Sequence, residues 1–547
     1  MGISSNGMGA NDGGCALIDN GFPIIAIAEE RITRKKYDGG FVNSLKYCLK
    51  NAHCLAKDID HFVFSNCCDE PLNIDFVKDI LQKNNLSIPE KKIIINKSHH
   101  LAHAAGVFYP SQFDKALILV VDNEGNILQK TSDNYWENSL ERTSMYIGEG
   151  TNIELLERYN DAPGDLGIGG AYNFFTHWLG FNSYKDAGKT MGLASYGEDF
   201  FQGLKLFSGG KCCLENTNKD KLGSVRRFFS EKAGVDIGER GKSTKNPDKI
   251  QKDVAFFIQK ETERILIEIV KKAVKKYKIK NLCISGGVAL NCVANYKIFE
   301  KTGIEKIFIQ PASGDDGQCL GNAYLGYFSK NKLGKRKSVS SFYLGKKYSK
   351  GDIKRAINSY SDKIEHIESK NLYKTVAKLI ASDKIIGWFQ GGSEFGPRAL
   401  GNRSIFANPR NPRTKSYING KVKFRESFRP YAPVVLEKYL NQYFELNFPS
   451  PFMLFAPRVY SNKANFIPAV THVDGTARVQ TVNKMQNSRL YSLVSEFEKI
   501  TGIPIILNTS FNVNGEPIVE SPEDAIKCFM GTNIDVLVIG NYIINKK

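Results

Sequence analysis

Short apolar runs and helical spacings alternate along the first three hundred residues. Ala16–Ile18 and Ile24–Ala28 flank the turn-forming triplet Asp19-Asn20-Gly21, which predicts a β-hairpin. A helical stretch is expected over Val42–Ala52, and strand-like runs recur at Phe62–Phe64, Ile93–Ile95, Leu117–Val121, Leu282–Ile284 and Ile307–Ile309. Ile250–Lys278 carries apolar residues at helical spacing. A hairpin followed by alternating strands and helices predicts a layered α/β domain. Ser329–Ser341 is polar and basic, shows no face fit for a core, and is the expected linker. The pattern then restarts with a helix at Leu372–Ser382 and a strand at Ile385–Phe389. A loop rich in glycine and charge follows, then apolar runs at Ile503–Leu507 and Val536–Ile539. The expected domains are 1–335 and 336–547, and no short-period repeat is visible.

A chain of 547 residues exceeds what one hydrophobic core organises, so two large domains or three smaller ones are expected. Hydrophobic residues at 42% and charged residues at 24% exclude a disordered or fibrous chain. The net charge of +18 favours anionic partners. However, its clusters (Lys330, Lys332, Lys335, Arg336 and Lys337, and a second from Lys271 to Lys280) have little interleaved aromatic character. They read as a linker and a solvated helix face more than as a nucleic-acid surface. Nucleotides and phosphate esters suit the charge equally. No signal peptide and no membrane-length apolar run is expected. The eleven cysteines lack zinc or disulfide-framework spacing, which suggests reduced thiols in a cytoplasm-like compartment.

Candidate chemistry begins at His99, His100 and His103, three of the eight histidines within five residues. On a helix, His99 and His103 project from one face and can share a cation. A bare His-x-x-x-His is as often an ordinary surface or cap pair. Asp122 at the end of the run Leu117–Val121, and Asp315 and Asp316 after Ile307–Ile309, alter that balance. Two histidines with one or two carboxylates suit a catalytic divalent metal, iron(II) rather than structural zinc. Ser285-Gly286-Gly287 follows a strand and precedes a helical pattern, where bare backbone N–H groups can meet phosphate oxygens. Lys189, between Gly188 and the Thr190-Met191-Gly192 segment, is a candidate phosphate neutraliser.

The second half concentrates cations between Gly391 and Arg429. Arg398 and Arg403 are followed by Lys421, Lys423, Arg425 and Arg429, and Glu426 is the one acid between Asn402 and Glu437. A solvated helix face would carry more compensating acids, so an anion site is favoured. His472 to Arg478 and Asn508 to Asn512 are candidate further walls.

These residues match a known family. The chain resembles the nodulation-type and antibiotic-type O-carbamoyltransferases, including the cephem and tobramycin enzymes, over nearly its whole length. His99-His100-Leu101-Ala102-His103-Ala104, Gly188-Lys189-Thr190-Met191-Gly192-Leu193-Ala194, Gly286-Gly287-Val288-Ala289-Leu290-Asn291, Phe395-Gly396-Pro397-Arg398-Ala399-Leu400-Gly401, Phe428-Arg429-Pro430 and the segment from His472 to Arg478 carry the likeness. It implies an N-terminal actin/hexokinase-like (ASKHA) domain, similar to the tRNA threonylcarbamoyl-transfer proteins, and a C-terminal YrdC-like α/β domain. It further implies that the C-terminal domain forms carbamoyl-adenylate from carbamoyl phosphate and ATP with Mg²⁺. The N-terminal, Fe²⁺-bearing domain then transfers the carbamoyl group. By that likeness His99, His103, Asp122 and Asp315 hold the metal, and Gly286, Gly287 and Asn291 meet the nucleotide. Arg398, Lys423, Arg429, Arg478 and Ser510 line the carbamoyl phosphate and ATP site, and Asp12 and Lys189 take part in transfer.

The chain departs from the family at one chemical position. Members open with His-Asp-Ala-Ser-Ala-Ala, whose histidine resembles a general base; here the stretch is Asn11-Asp12-Gly13-Gly14-Cys15-Ala16. An amide takes no proton near neutral pH, so base catalysis of about a hundredfold would be missing. His100 or His177 is a candidate substitute. Glu-Gly-Lys also becomes Ala187-Gly188-Lys189, and Gly-Arg-Met-Glu becomes Gly391-Gly392-Ser393-Glu394. The expected function is carbamoylation of a hydroxyl on a small metabolite. An amine, a macromolecule including nucleic acid, or a transfer-deficient nucleotide-binding relative stand as alternatives. No membrane partner is expected, and a homodimer is.

Overall fold

The computed structural model describes all residues except 6–11, 66–71, 209–210, 215–219, 240, 242–245 and 332–333. Two compact units divide the chain. The first comprises Met1–Thr33 and Tyr37–Val339, the second Arg34–Lys36 and Ser340–Lys547.

The first unit holds two five-stranded sheets. One is built from β1 (Gly2–Ser4), β2 (Gly14–Asp19), β3 (Phe22–Ala28), β4 (Phe62–Ser65) and β5 (Ile93–Ile95), in the order β3-β2-β1-β4-β5. The other uses β6 (Lys115–Val121), β7 (Thr143–Glu149), β8 (Asn152–Tyr159), β9 (Asn281–Ser285) and β10 (Lys306–Ile309), in the order β8-β7-β6-β9-β10. In each sheet the first three strands pair antiparallel, and the first, fourth and fifth pair parallel. The same strand order and directions occur twice, which is the duplicated topology of the actin/hexokinase class. The expected hairpin is β2–β3. The run KALILVV of β6 is buried at six of seven positions, as a strand covered on both faces should be.

Helix His99–Phe108 follows β5, with Ser98 as N-cap accepting from the Leu101 amide at 3.1 Å. It crosses helix Gln318–Lys330 at bare-backbone distance. A Cβ on Gly321 would stand 1.8 Å from the Ala102 carbonyl oxygen, so only glycine permits the crossing. The expected helix at Ile250–Lys278 spans Lys249–Tyr277 and starts with a capping box between Asp248 and Gln251.

Ser329–Ser341 does not behave throughout as a bare linker. Lys330 closes helix Gln318–Lys330, Arg336 donates to the Phe108 carbonyl at 2.9 Å, and the buried Val339 donates to Pro110 at 2.8 Å. Polar composition concealed this docking because the contacts are made by a guanidinium and by backbone amides.

The second unit is built on an eight-stranded mixed sheet: β11 (Ile364–Glu368), β12 (Ile386–Phe389), β13 (Arg403–Ala407), β14 (Ala432–Leu436), β15 (Gln480–Val482), β16 (Ile505–Ser510), β17 (Val536–Ile539) and β18 (Tyr542–Lys546). Their order is β11-β18-β17-β12-β13-β16-β14-β15. β13 lies inside what the sequence suggested was one long loop. Pairing of Ser404 with Ser510 brings the loop before β13 to the sheet end where β16 finishes.

Candidate functional site

In the first unit the histidine helix, the end of β6 and the turn after β10 meet. His103 Nε2 lies 2.9 Å from Asp122 Oδ2 and 3.3 Å from Asp315 Oδ1, and His99 Nε2 lies 3.4 and 3.3 Å from the same oxygens. The two Nε2 atoms are 3.2 Å apart. Donor atoms bound at 2.0–2.1 Å around one ion show separations of this order, and these four form a group able to hold a metal. Both imidazoles are buried. Two carboxylates balance a divalent charge in a dry site, and two neutral imidazoles complete the donor set without adding charge.

The ligand atoms are themselves held. Asp122 Oδ1 accepts from the Asn123 amide at 2.7 Å and the Gly287 amide at 3.3 Å, leaving Oδ2 toward the imidazoles. His103 Nδ1 is 3.3 Å from Ser285 Oγ. Gln318 Nε2 is 2.9 Å from His99 Nδ1 and 3.1 Å from His103 Nε2, while its Oε1 accepts from Ser65 at 3.0 Å. Burial disfavours charge on His103, but bonds with Asp122 and Asp315 outweigh it and raise its pKa. Burial works against the Asp122 carboxylate as well, yet bonds with His103 and His99 hold its pKa well below the usual range. Gln318 escaped the sequence reading, since a neutral amide one turn after Asp315 carries no motif signal.

Gly286 and Gly287 lie directly against this cage. Gly286 has φ +90°, and a Cβ there would stand 2.2 Å from the Val121 carbonyl oxygen. Asn291 uses its side chain internally: it caps helix Cys292–Thr302 and donates to Gln259 at 2.9 Å. Lys189 sits on helix Ala187–Ala194 with Nζ 3.1 Å from Asp186. Asp12 is half-buried with φ +52°, and Asn11 lies outside the described residues. His100, buried and bonded through Nδ1 to Ser144 at 2.7 Å, is pushed by burial to a pKa of about 4 and suits a base poorly. His177 is also lowered, by burial and by Lys221.

In the second unit Lys423 ends a π-helical turn, Ile418–Lys423, and is buried. Its Nζ contacts the Ser510 carbonyl, Ser510 Oγ at 3.3 Å, the Asn512 carbonyl at 2.9 Å and Asn512 Oδ1 at 2.8 Å. Burial, then the charges of Arg425 and Arg429, lower its pKa well below that of an ordinary lysine. Arg425 is lowered to about 10 by burial, with Arg429 and Arg478 among the charges acting on it. Lys423, Arg425, Arg429, Arg478 and Ser510 therefore share one electropositive neighbourhood, in which a bound anion would relieve mutual repulsion. Arg398 is half-buried on the loop before β13. Glu394 organises that loop, its Oε1 accepting from the amides of Leu400, Asn402 and Arg403 at 2.8, 2.6 and 3.1 Å. Arg403 is spent inside the fold. It is fully buried, donates to the carbonyls of Gln390 and Glu520, and stacks 3.6 Å from the Phe389 ring centroid.

The sequence model described as carbamoyltransferase N-terminus matches residues 4–73 and 71–324, and that described as carbamoyltransferase C-terminus matches 377–546. The nodulation protein NolNO of Sinorhizobium fredii is 33% identical over 575 residues, covering 98% of this chain and 79% of that protein. NolO of Bradyrhizobium diazoefficiens is 34% identical over 462 residues, covering 82% and 79%. Among solved structures, component A of the Acidaminococcus fermentans (R)-2-hydroxyglutaryl-CoA dehydratase overlays 60% of this chain and 97% of its own at 13% identity and a TM-score of 0.34, too loose a match to bear on chemistry.

Proposed function

Since the chain belongs to the carbamoyltransferase family, we propose that it uses carbamoyl phosphate and ATP to make carbamoyl-adenylate in the second unit and passes the carbamoyl group to an acceptor hydroxyl in the first. The observation that carries this is the pairing, in one chain, of a His₂Asp₂ cage with a separate cluster of buried and half-buried cations.

In the second unit, carbamoyl phosphate is cleaved by water to carbamate and phosphate. A carbamate oxygen then attacks the α-phosphorus of ATP, and pyrophosphate leaves. Lys423, Arg425, Arg429 and Arg478 are suited to neutralise the reacting phosphates, and Ser510 and Asn512 fix the lysine. In the first unit the acceptor oxygen attacks the carbamoyl carbon, AMP leaves with the bonding pair, and the hydroxyl proton goes to a base. His99, His103, Asp122 and Asp315 would hold a divalent cation, iron(II) or a similar ion, which when bound supplies Lewis-acid polarisation of a carbonyl. The amides of Gly286 and Gly287 are turned to the Ser313 carbonyl at 3.0 Å and to Asp122 Oδ1 at 3.3 Å, so what these glycines offer a nucleotide is close approach of side-chain-free backbone beside the cage. Asn11 in the position of the family histidine favours a second reading, an acceptor amine that needs less deprotonation.

Purified protein incubated with ATP and labelled carbamoyl phosphate should release pyrophosphate, and Lys423→Ala should abolish that release. Removing the cage cation with an iron-selective chelator at saturating Mg²⁺ should spare pyrophosphate release and stop acceptor-dependent AMP release. Carbamoyl phosphate that fails to stimulate pyrophosphate release would refute the reading.

A further inference from the structure

Arg142 immediately precedes β7 and is 1% exposed. Its Nη1 donates to the Asn123 carbonyl. Nε and Nη2, the two donors on the opposite edge, are buried and meet no acceptor among the described residues. The Trp136 ring lies 5.7 Å from the guanidinium carbon, and the aliphatic stem fills the space a side chain on Gly167 would need. Glu124 and Asp165 lie in the field of this charge. Yet Asp165 accepts from the Gly167 and Cys212 amides at 2.8 and 3.3 Å, and neither carboxyl takes a hydrogen bond from Nε or Nη2. The position borders the cage, because the Arg142 carbonyl accepts from the Asp122 amide at 3.0 Å.

A buried guanidinium edge without an acceptor is destabilising unless a ligand supplies one. Nε and Nη2 form the parallel fork that matches two oxygens of a carboxylate or phosphate. We infer that Arg142 is an oxyanion-binding residue, whose fork donates to two oxygens of a carboxylate or phosphate group brought in beside the His₂Asp₂ cage. Trp136 lines the face of the same guanidinium. Two sources carry that chemistry: the phosphate of a nucleotide, or an acidic group on the acceptor. Assigning the anion to the transfer step rests on the proposed function; the existence of the oxyanion site does not.

Trp136 gives the site its own reporter, because the other two tryptophans, Trp178 and Trp388, are fully buried. The full chain is titrated with inorganic phosphate, AMP and acetate while tryptophan fluorescence is followed. A saturable response should appear, vanish in Trp136→Phe, and require about tenfold to a hundredfold more ligand in Arg142→Gln. Arg142→Lys keeps the charge and most of the volume but loses the fork, and should fall between. AMP binding tighter than phosphate identifies a nucleotide phosphate as the source. Acetate and phosphate binding as well as AMP identifies an acidic acceptor. The inference is overturned if the wild-type chain gives no saturable response into the millimolar range. It is equally overturned if folded Arg142→Lys binds as tightly as wild type. The wild-type titration decides even where the variants do not fold. Pyrophosphate release is measured on the same preparations: its absence with Arg142-dependent binding intact removes the proposed function and leaves this site standing.

Discussion

Replacing Gln318 by leucine tests whether the cage is built for a cation. Gln318 is buried, with its amide nitrogen 2.9 Å from His99 Nε2, 3.1 Å from His103 Nε2 and 3.2 Å from Asp315 Oδ1. Leucine nearly preserves the volume and removes every polar contact. Loss of an outer partner of metal ligands weakens binding about 10–100-fold, which corresponds to about 1.4–2.7 kcal/mol. Folding should suffer separately, because Ser65 loses the acceptor for its hydroxyl at a cost of about 1–3 kcal/mol. Asn322 still donates to that oxygen at 2.7 Å. Gln318→Glu is the informative partner: it keeps the Ser65 acceptor but adds a carboxylate beside Asp122 and Asp315. The apo protein should become less stable and the cation-bound form tighter. Stripped protein is dialysed anaerobically against iron(II), and in parallel against cobalt(II), whose absorption reports the ligand field. Leucine and wild-type affinities within about twofold of each other, or a wild-type chain that binds no cation, would refute the reasoning.

Gly286→Ala should lower stability by about 2–5 kcal/mol, combining a backbone region essentially reserved for glycine with an overlap against the Val121 carbonyl; a urea midpoint shift worth under about 1 kcal/mol contradicts it. His472, held by burial at a pKa of about 4, resists protonation in the native state, while the unfolded chain takes up the proton near its ordinary value of 6.5. Stability present above pH 6.5 should therefore be lost as pH falls toward 4, by at most about 3 kcal/mol through this group. His472→Gln should show a flatter unfolding free energy across that window, and parallel curves would count against the assignment. Asn11→His should raise acceptor-dependent AMP release about a hundredfold, and unchanged rates with every acceptor tested would mean that the base is not lost there.

How much of this was legible depends on what each residue spends itself on. The buried strands announced themselves, because a run such as KALILVV can only be covered on both faces. The histidine spacing and the carboxylates ending strands were readable for a similar reason: ligand atoms must converge, and periodicity tells which can. The duplication of the two sheets left no trace in the pattern of apolar runs and was implied by the family likeness alone, since strand order is kept by backbone hydrogen bonds that leave no mark on side-chain identity. β13 hid inside a charged stretch because Arg403 is interior, its charge consumed by carbonyl oxygens and an aromatic face. From sequence, Arg403 and Arg429 look alike, and only burial separates a structural guanidinium from one left half-buried among other cations. Asn291 shows the reverse: an amide that fits a binding loop on paper is occupied as a helix cap.

The cage also ties together distant stretches of chain. His103 and Asp315 stand 212 positions apart, one on a helix packed against β6 and β9 of the second sheet and the other in the turn leading from β10 into helix Gln318–Lys330, which packs against β1, β2 and β4 of the first. A cation gripping both is a removable clasp, restricting the same long loop that a cross-link there would restrict. Chelation should accordingly let one half open without the other, so that amide exchange in β1 to β5 and in β6 to β10 splits into separate steps. Metal supply would then govern how long the folded chain survives proteolysis as well as how fast it turns over.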